Sequence, residues 1–136
     1  MRNAALFVAV WVIFTSPLVA RQHAEATHRH MEAAKVTNAV PATPKSIADG
    51  ETVFNRSCAS CHGKTGMGDG PAAKQLNPKP SNLVDAEWTH GTSDGEILAV
   101  LRSGIPKTAM KGFASKMTEH EMWDVINYVR SLAPKQ

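Results

Sequence analysis

Two thiols and an imidazole fall within five consecutive residues, Cys58-Ala59-Ser60-Cys61-His62. The spacing puts two sulfurs on one turn of chain and an imidazole nitrogen directly beside the second. C-x-x-C-H is the attachment pattern of haem c, in which the thiols form thioethers with two vinyl groups of one haem and the imidazole donates to its iron. Cys58 and Cys61 are therefore expected as covalent anchors and His62 as the proximal iron ligand. Other uses of these residues fit less well. A structural disulfide leaves His62 without a role, a thioredoxin-like pair needs a βαβ context that the sequence lacks, and a zinc site needs further Cys or well-spaced His ligands.

An iron held by His62 wants a soft ligand on its other side, drawn from a distant part of the chain. Beyond the first 20 residues the methionines are Met31, Met67, Met110, Met117 and Met122. Met31 falls in a polar leader, Met67 is too close in sequence to His62 to cross a ring easily, and Met122 belongs to an apolar helical stripe. Met110 and Met117 remain. Met110 sits in a loop, Ile105 to Phe113, between two helical stretches, where helix packing does not claim its side chain; it is the expected second ligand, with Met117 next.

The elements that must position these residues are helical. A helix beginning near Ser46 or Asp49 and running to Ser57 delivers the chain to Cys58. From His62 to His90, four glycines and three prolines (Gly63, Gly66, Gly68, Gly70, Pro71, Pro78 and Pro80) exclude long regular structure, and a compact domain rarely tolerates such a stretch unless it wraps something. Ser93 and Glu96 have capping-box spacing and open a helix that Gly104 ends; Thr118 and Glu121 repeat the pattern, opening a last helix that stops before Pro134. With no alternating strand pattern and no internal repeat, the expected fold is all-α, about four helices with long loops wrapping one haem.

The 136 residues, 43% of them hydrophobic and 20% charged, fit one small domain and an N-terminal appendage. Residues 1–20 open with Met1, Arg2 and Asn3 and continue uncharged to Ala20, the pattern of a secretory signal peptide, or of a membrane anchor if it is not cleaved. Cleavage is expected after Ala20 or at the small-x-small match Ala24-Glu25-Ala26. Residues 21–45 are expected as a disordered linker, whose His23, His28, His30 and Met31 are read as solvated rather than metal-binding, and residues 46–136 as the domain. Export places the domain in the periplasm. The formal charge of +3 is interleaved along the chain, so no nucleic acid is expected as a partner, and the membrane only through an uncleaved N-terminal segment.

From about Asp49 to Leu132 the chain resembles a class I cytochrome c. The match rests on Gly50-x-x-x-Phe54, Cys58-x-x-Cys61-His62-Gly63, Gly68-Asp69-Gly70-Pro71, and Met110 ahead of a helix from Trp123 to Leu132. The resemblance implies one covalent haem c, first and last helices crossing at Gly50 with Phe54 and Tyr128 in the contact, and a Pro71 carbonyl accepting the second ring proton of His62. Many relatives follow the ligand methionine with proline; this chain has Lys111, a departure that bears on the stiffness of the loop. Trp88 and Arg102 are further candidates, as hydrogen-bond donors to haem propionates. The expected role is a single-electron carrier and not an enzyme, exchanging electrons with a donor and an acceptor redox protein through a transient contact, with Lys64, Lys74, Lys79, Lys107 and Lys111 as steering charges. Two alternatives stand beside it: a ligand-binding sensor or peroxidase-like protein with an open sixth position, and a haem subunit of a larger oxidoreductase.

Overall fold

A computed structural model describes residues 32–86 and 88–133. The first helix starts earlier than the apolar pattern suggests. Thr43, in extended conformation at ψ 160°, accepts the Ser46 amide on its hydroxyl, and Pro44 occupies the first helical position. A missing N–H is harmless there, because that amide has no helical partner in any case. Helix α1 (Pro44–Ser57) follows, and at Cys58 (φ −120°) the chain turns into the single-turn α2 (Ala59–His62). Both expected capping boxes are complete: Ser93 with Glu96 opens α3 (Asp94–Ser103), and Thr118 with Glu121 opens α4 (Glu119–Leu132). The described residues contain no strand beyond an isolated Gly104–Lys111 bridge. The all-α expectation of about four helices with long loops holds.

Helices α1 and α4 cross at Gly50. A Cβ there would lie 2.0 Å from the Asp124 carbonyl oxygen, so only glycine allows the backbones this close. Beside the crossing the Phe54 and Tyr128 rings meet at 5.2 Å and 56°, a tilted arrangement favoured by aromatic quadrupoles. Phe54, Leu98 and Ile126 are the largest fully buried side chains, one each from α1, α3 and α4. The core thus joins the three long helices, and the loops are left to enclose what lies beside it.

The expected linker, residues 21–45, is corrected over its described part. Ala33–Lys35 form a 3-10 turn laid on α3, close enough that a Cβ on Gly95 would sit 1.9 Å from the Ala33 carbonyl. Further along, Asn38 Nδ2 donates to Asn127 Oδ1 (2.8 Å), and Asn127 Nδ2 donates to the Val40 carbonyl (3.0 Å) and Ser46 Oγ (2.8 Å). Ser46 Oγ donates in turn to buried Asp124 at 2.6 Å. The segment is attached through polar side chains, which is why an apolar-periodicity reading assigns it to solvent. The expected signal or anchor, His23, His28, His30 and Met31 lie outside the described residues. Among those described, no helix is long and apolar enough to cross a membrane.

Candidate haem site

His62 is positioned by a loop that folds back over its own helix. The Cys58 carbonyl accepts the amides of Cys61 (3.1 Å) and His62 (2.9 Å), closing α2. The carbonyls at the other end are then taken by the following segment: Gly68 N donates to His62 O, Gly70 N to Cys61 O, and Ala72 N to Ser60 O. The fit depends on glycine. A Cβ on Gly70 would fall 2.4 Å from Ser60 O and 2.6 Å from Ala59 O, and Gly63, Gly66 and Gly68 all have φ near +76°, a region that side chains disfavour. After a 3-10 turn (Ala73–Gln75) the chain returns to set the Ser81 carbonyl 3.0 Å from His62 Nδ1. A carbonyl only accepts, so Nδ1 carries the proton and Nε2 keeps its lone pair. Burial pushes the His62 pKa down, against a smaller upward pull from Ser81. The ring is neutral at pH 7, as a metal ligand must be.

Met110 is positioned by short-range contacts. Gly104 and Lys111 pair as an antiparallel bridge, and Ile105 N donates to Met110 O at 2.9 Å. Inside this turn Thr108 Oγ1 donates to Ile105 O (2.9 Å) and accepts from Met110 N (3.1 Å), while Lys111 Nζ caps Thr108 O at 2.9 Å. Gly104 (φ 73°) makes the closure possible, since a Cβ there would lie 2.6 Å from Met110 O. The turn that lacks a proline after Met110 is closed by Thr108 and by Lys111 itself.

Both segments open on one cavity of about 580 Å³, within the range of cofactor sites. Cys58, Cys61, His62 and Met110 all line it, with Phe54, Leu101 and Val125 among the apolar side chains from the three long helices. Met117 does not; it is buried in the core at 7% exposure. Both cysteines are free thiols. Burial, and then the neighbouring Cys61, push the Cys58 thiol up to about 11, which keeps it protonated at neutral pH. That is poor chemistry for a thiolate redox pair or a zinc ligand. An apolar cavity with two thiols, a neutral imidazole and a thioether on its walls fits haem c in size and in donor set.

The family model for cytochrome c matches residues 47–133. The chain belongs to the cytochrome c family. Its cofactor is accordingly a covalently bound haem c, and it is an electron-carrying domain. Among its relatives, the cbb3-type cytochrome c oxidase subunit FixP of Bradyrhizobium sp. (strain ORS 278) is 40% identical over 95 residues, which cover 63% of this chain and 30% of FixP. The subunit CcoP of Rubrivivax gelatinosus is 30% identical over 90 residues, covering 66% and 27%. The chain therefore spans less than a third of the length of these relatives. Among solved structures, the Kuenenia stuttgartiensis reducing HAO-like protein complex Kustc0457/Kustc0458 superposes with a TM-score of 0.67 at 26% identity, covering 74% of this chain and 49% of that one. Cytochrome cL of Methylophaga aminisulfidivorans shares the fold, with a TM-score of 0.55 at 22% identity over 66% of this chain and 55% of that one.

Three expectations for this cytochrome domain change. Pro71 does not serve His62; it lies on a separate shallow groove with Ser60, Gly63 and Asp69, and Ser81 takes its place as acceptor. Any residue can offer a carbonyl, so no side-chain signal marks Ser81; its neighbour Pro80 is the nearest cue. Arg102 is exposed, absent from the cavity wall, and paired with Glu119 across the α3–α4 connection. Trp88 does line the cavity, but its indole N–H is given to Asp85 O at 3.1 Å, so its role there is as a wall. Of the proposed steering lysines, Lys79 and Lys111 line the cavity, Lys64 lines the separate groove, and Lys74 and Lys107 line neither. Lys116, which is not among those five, joins the two at the cavity.

Proposed function

We propose that this domain carries single electrons on one haem c with His62 and Met110 as axial ligands, outside the cytoplasm. The observation that carries the reading is the joint presence of Cys58, Cys61, His62 and Met110 on a single cavity wall system. When bound, the haem iron supplies the one-electron couple. The chain's own residues would do the rest: Cys58 and Cys61 would hold the macrocycle, Ser81 O fixes the donor face of His62, and the turn closed by Thr108 would present the Met110 sulfur. With both axial sites filled, no position is left for a substrate, so electron exchange and not catalysis is the consequence.

Charge supports a protein partner. Lys79, Lys111 and Lys116 line the cavity, and no Asp or Glu does among the described residues. A partner with an acidic patch would be steered to this face, with an association rate that falls as salt rises. The likeness to oxidase subunits favours a second form of the same reading, in which the domain works as a haem module of a larger oxidoreductase and passes electrons within that assembly. The uncharged run after Arg2 supports export to the periplasm, by cleavage or as an anchor.

Exposure of the reduced holoprotein to carbon monoxide tests the carrier reading. A filled sixth position leaves the absorption spectrum unchanged. A rapidly formed adduct would instead support the sensor or peroxidase-like alternative.

A further inference from the structure

Arg130 stands apart from the other surface cations because it joins three elements at once. It lies in the last turn of α4, where its Nε donates to Asp94 Oδ1 at 2.8 Å in the first turn of α3. Its Nη2 donates to the Thr92 carbonyl just before that helix. The guanidinium carbon sits 5.7 Å from the centre of the Trp88 ring. A lone exposed ion pair contributes little, but a planar cation that stacks on an indole while its edge is hydrogen-bonded on two sides has its orientation fixed.

Trp88 is the wall residue that this contact backs, and it ends a segment tied to the iron site. Ser81 O accepts from His62 Nδ1 at 3.0 Å. Asn82 Oδ1 then accepts from Val84 N (3.1 Å), Asn82 Nδ2 donates to Asp85 Oδ1 (2.7 Å), and Asp85 O accepts from Trp88 Nε1 (3.1 Å). One short stretch thus holds the His62 acceptor at its start and a cavity wall at its end. Its start is anchored at His62, with Leu83 N to Gly66 O at 2.6 Å close behind; its end is backed by Arg130.

We infer that Arg130 is a positioning residue for the haem cleft: from outside the cavity it clamps Trp88 against it, keeping water from that edge and thereby raising the reduction potential. The inference rests on the cavity being the haem site, but not on which methionine binds the iron. Water at the edge stabilises the more highly charged oxidised state, so a loosened Trp88 lowers the potential. Lysine keeps the charge of Arg130 but loses its planar fork, so Arg130→Lys separates clamping from simple electrostatics.

The test uses the haem-loaded full chain as wild type, Arg130→Lys, Trp88→Leu and the double variant. In the reduced wild type, NMR should show Arg130 guanidinium protons in contact with the Trp88 ring and an indole N–H that exchanges slowly. Arg130→Lys should speed that exchange at least about tenfold and lower the potential; in the Trp88→Leu background the same substitution should leave the potential where Trp88→Leu alone puts it. The wild-type contacts test the geometry even if a variant fails to accumulate, and their absence overturns the inference. So does a potential that stays or rises in Arg130→Lys, or a drop of equal size with and without Trp88. A wild type that binds haem covalently but shows no sulfur-to-iron band would count against Met110 alone.

Discussion

The two segments that bring His62 and Met110 to the cavity are held by different physics. His62 is fixed by chain from outside its own helix: the amides of Gly68, Gly70 and Ala72 take the carbonyls of α2, and the Ser81 carbonyl, 19 residues on, sets the ring. Met110 is fixed by hydrogen bonds that all lie between Gly104 and Lys111. Tertiary fixing yields only when the fold does. A locally closed turn can open by itself, for a free energy set by a few hydrogen bonds. The His62 side should therefore be as stable as the domain, and the Met110 side should be where this cytochrome loosens first.

The largest effect is expected from Gly70→Ala, which forces a Cβ into the Ser60 and Ala59 carbonyls. We expect a loss of about 3 kcal/mol or more, the scale of overpacking against unyielding backbone, with His62 ligation and global unfolding failing together in denaturant titrations. If ligation were lost well before the fold, the two segments would not differ as described. Thr108→Val removes both hydrogen bonds of its hydroxyl and should weaken the Met110 turn by about 1–2 kcal/mol. The sulfur-to-iron absorption band should then disappear at a lower temperature than in wild type, while the midpoint of global unfolding barely moves.

The smallest effect lies outside both segments and serves as a control. The Glu121 carboxyl is held below its usual range by the Thr118 amide and hydroxyl, with Arg56 adding to this. A carboxylate with a lowered folded pKa contributes stability that is fully present above its unfolded value of about 4.3 and is lost as pH falls through the folded one. Glu121→Gln should therefore flatten the acid limb of the stability curve below about pH 4.3, as read from unfolding midpoints between pH 7 and pH 3. The sulfur-to-iron band at pH 7 should be unaffected.

How much of this was legible in the sequence follows the same division. Both capping boxes are carried by residue type at fixed spacing and stand where the pattern put them; the Gly50 crossing with Phe54 and Tyr128, implied by the resemblance to class I cytochromes c, is also present. Legibility stops where backbone carbonyls do the work. Ser81 offers His62 nothing that its side chain announces, and Pro71 was expected in that role only through the resemblance, which does not show which way a carbonyl faces in this chain. Residues 33–43, within the expected linker of 21–45, carry no apolar period because asparagines and a serine hold part of them to the domain. The first helix, expected from Ser46 or Asp49, starts at Pro44, because Thr43 caps it with a hydroxyl and Pro44 needs no amide partner at the first position. Arg102 failed for another reason: at the end of α3 a cation meets Glu119, a partner nearer than the cavity.

The central claim is that His62 and Met110 complete the coordination of one haem c. Its most direct test is the visible spectrum of the oxidised holoprotein recorded beside Met110→Ala. The account predicts a weak far-red sulfur-to-iron band in the wild type that is absent from the variant, with the covalent haem retained in both. A band that survives the substitution, or a high-spin wild type, would contradict it.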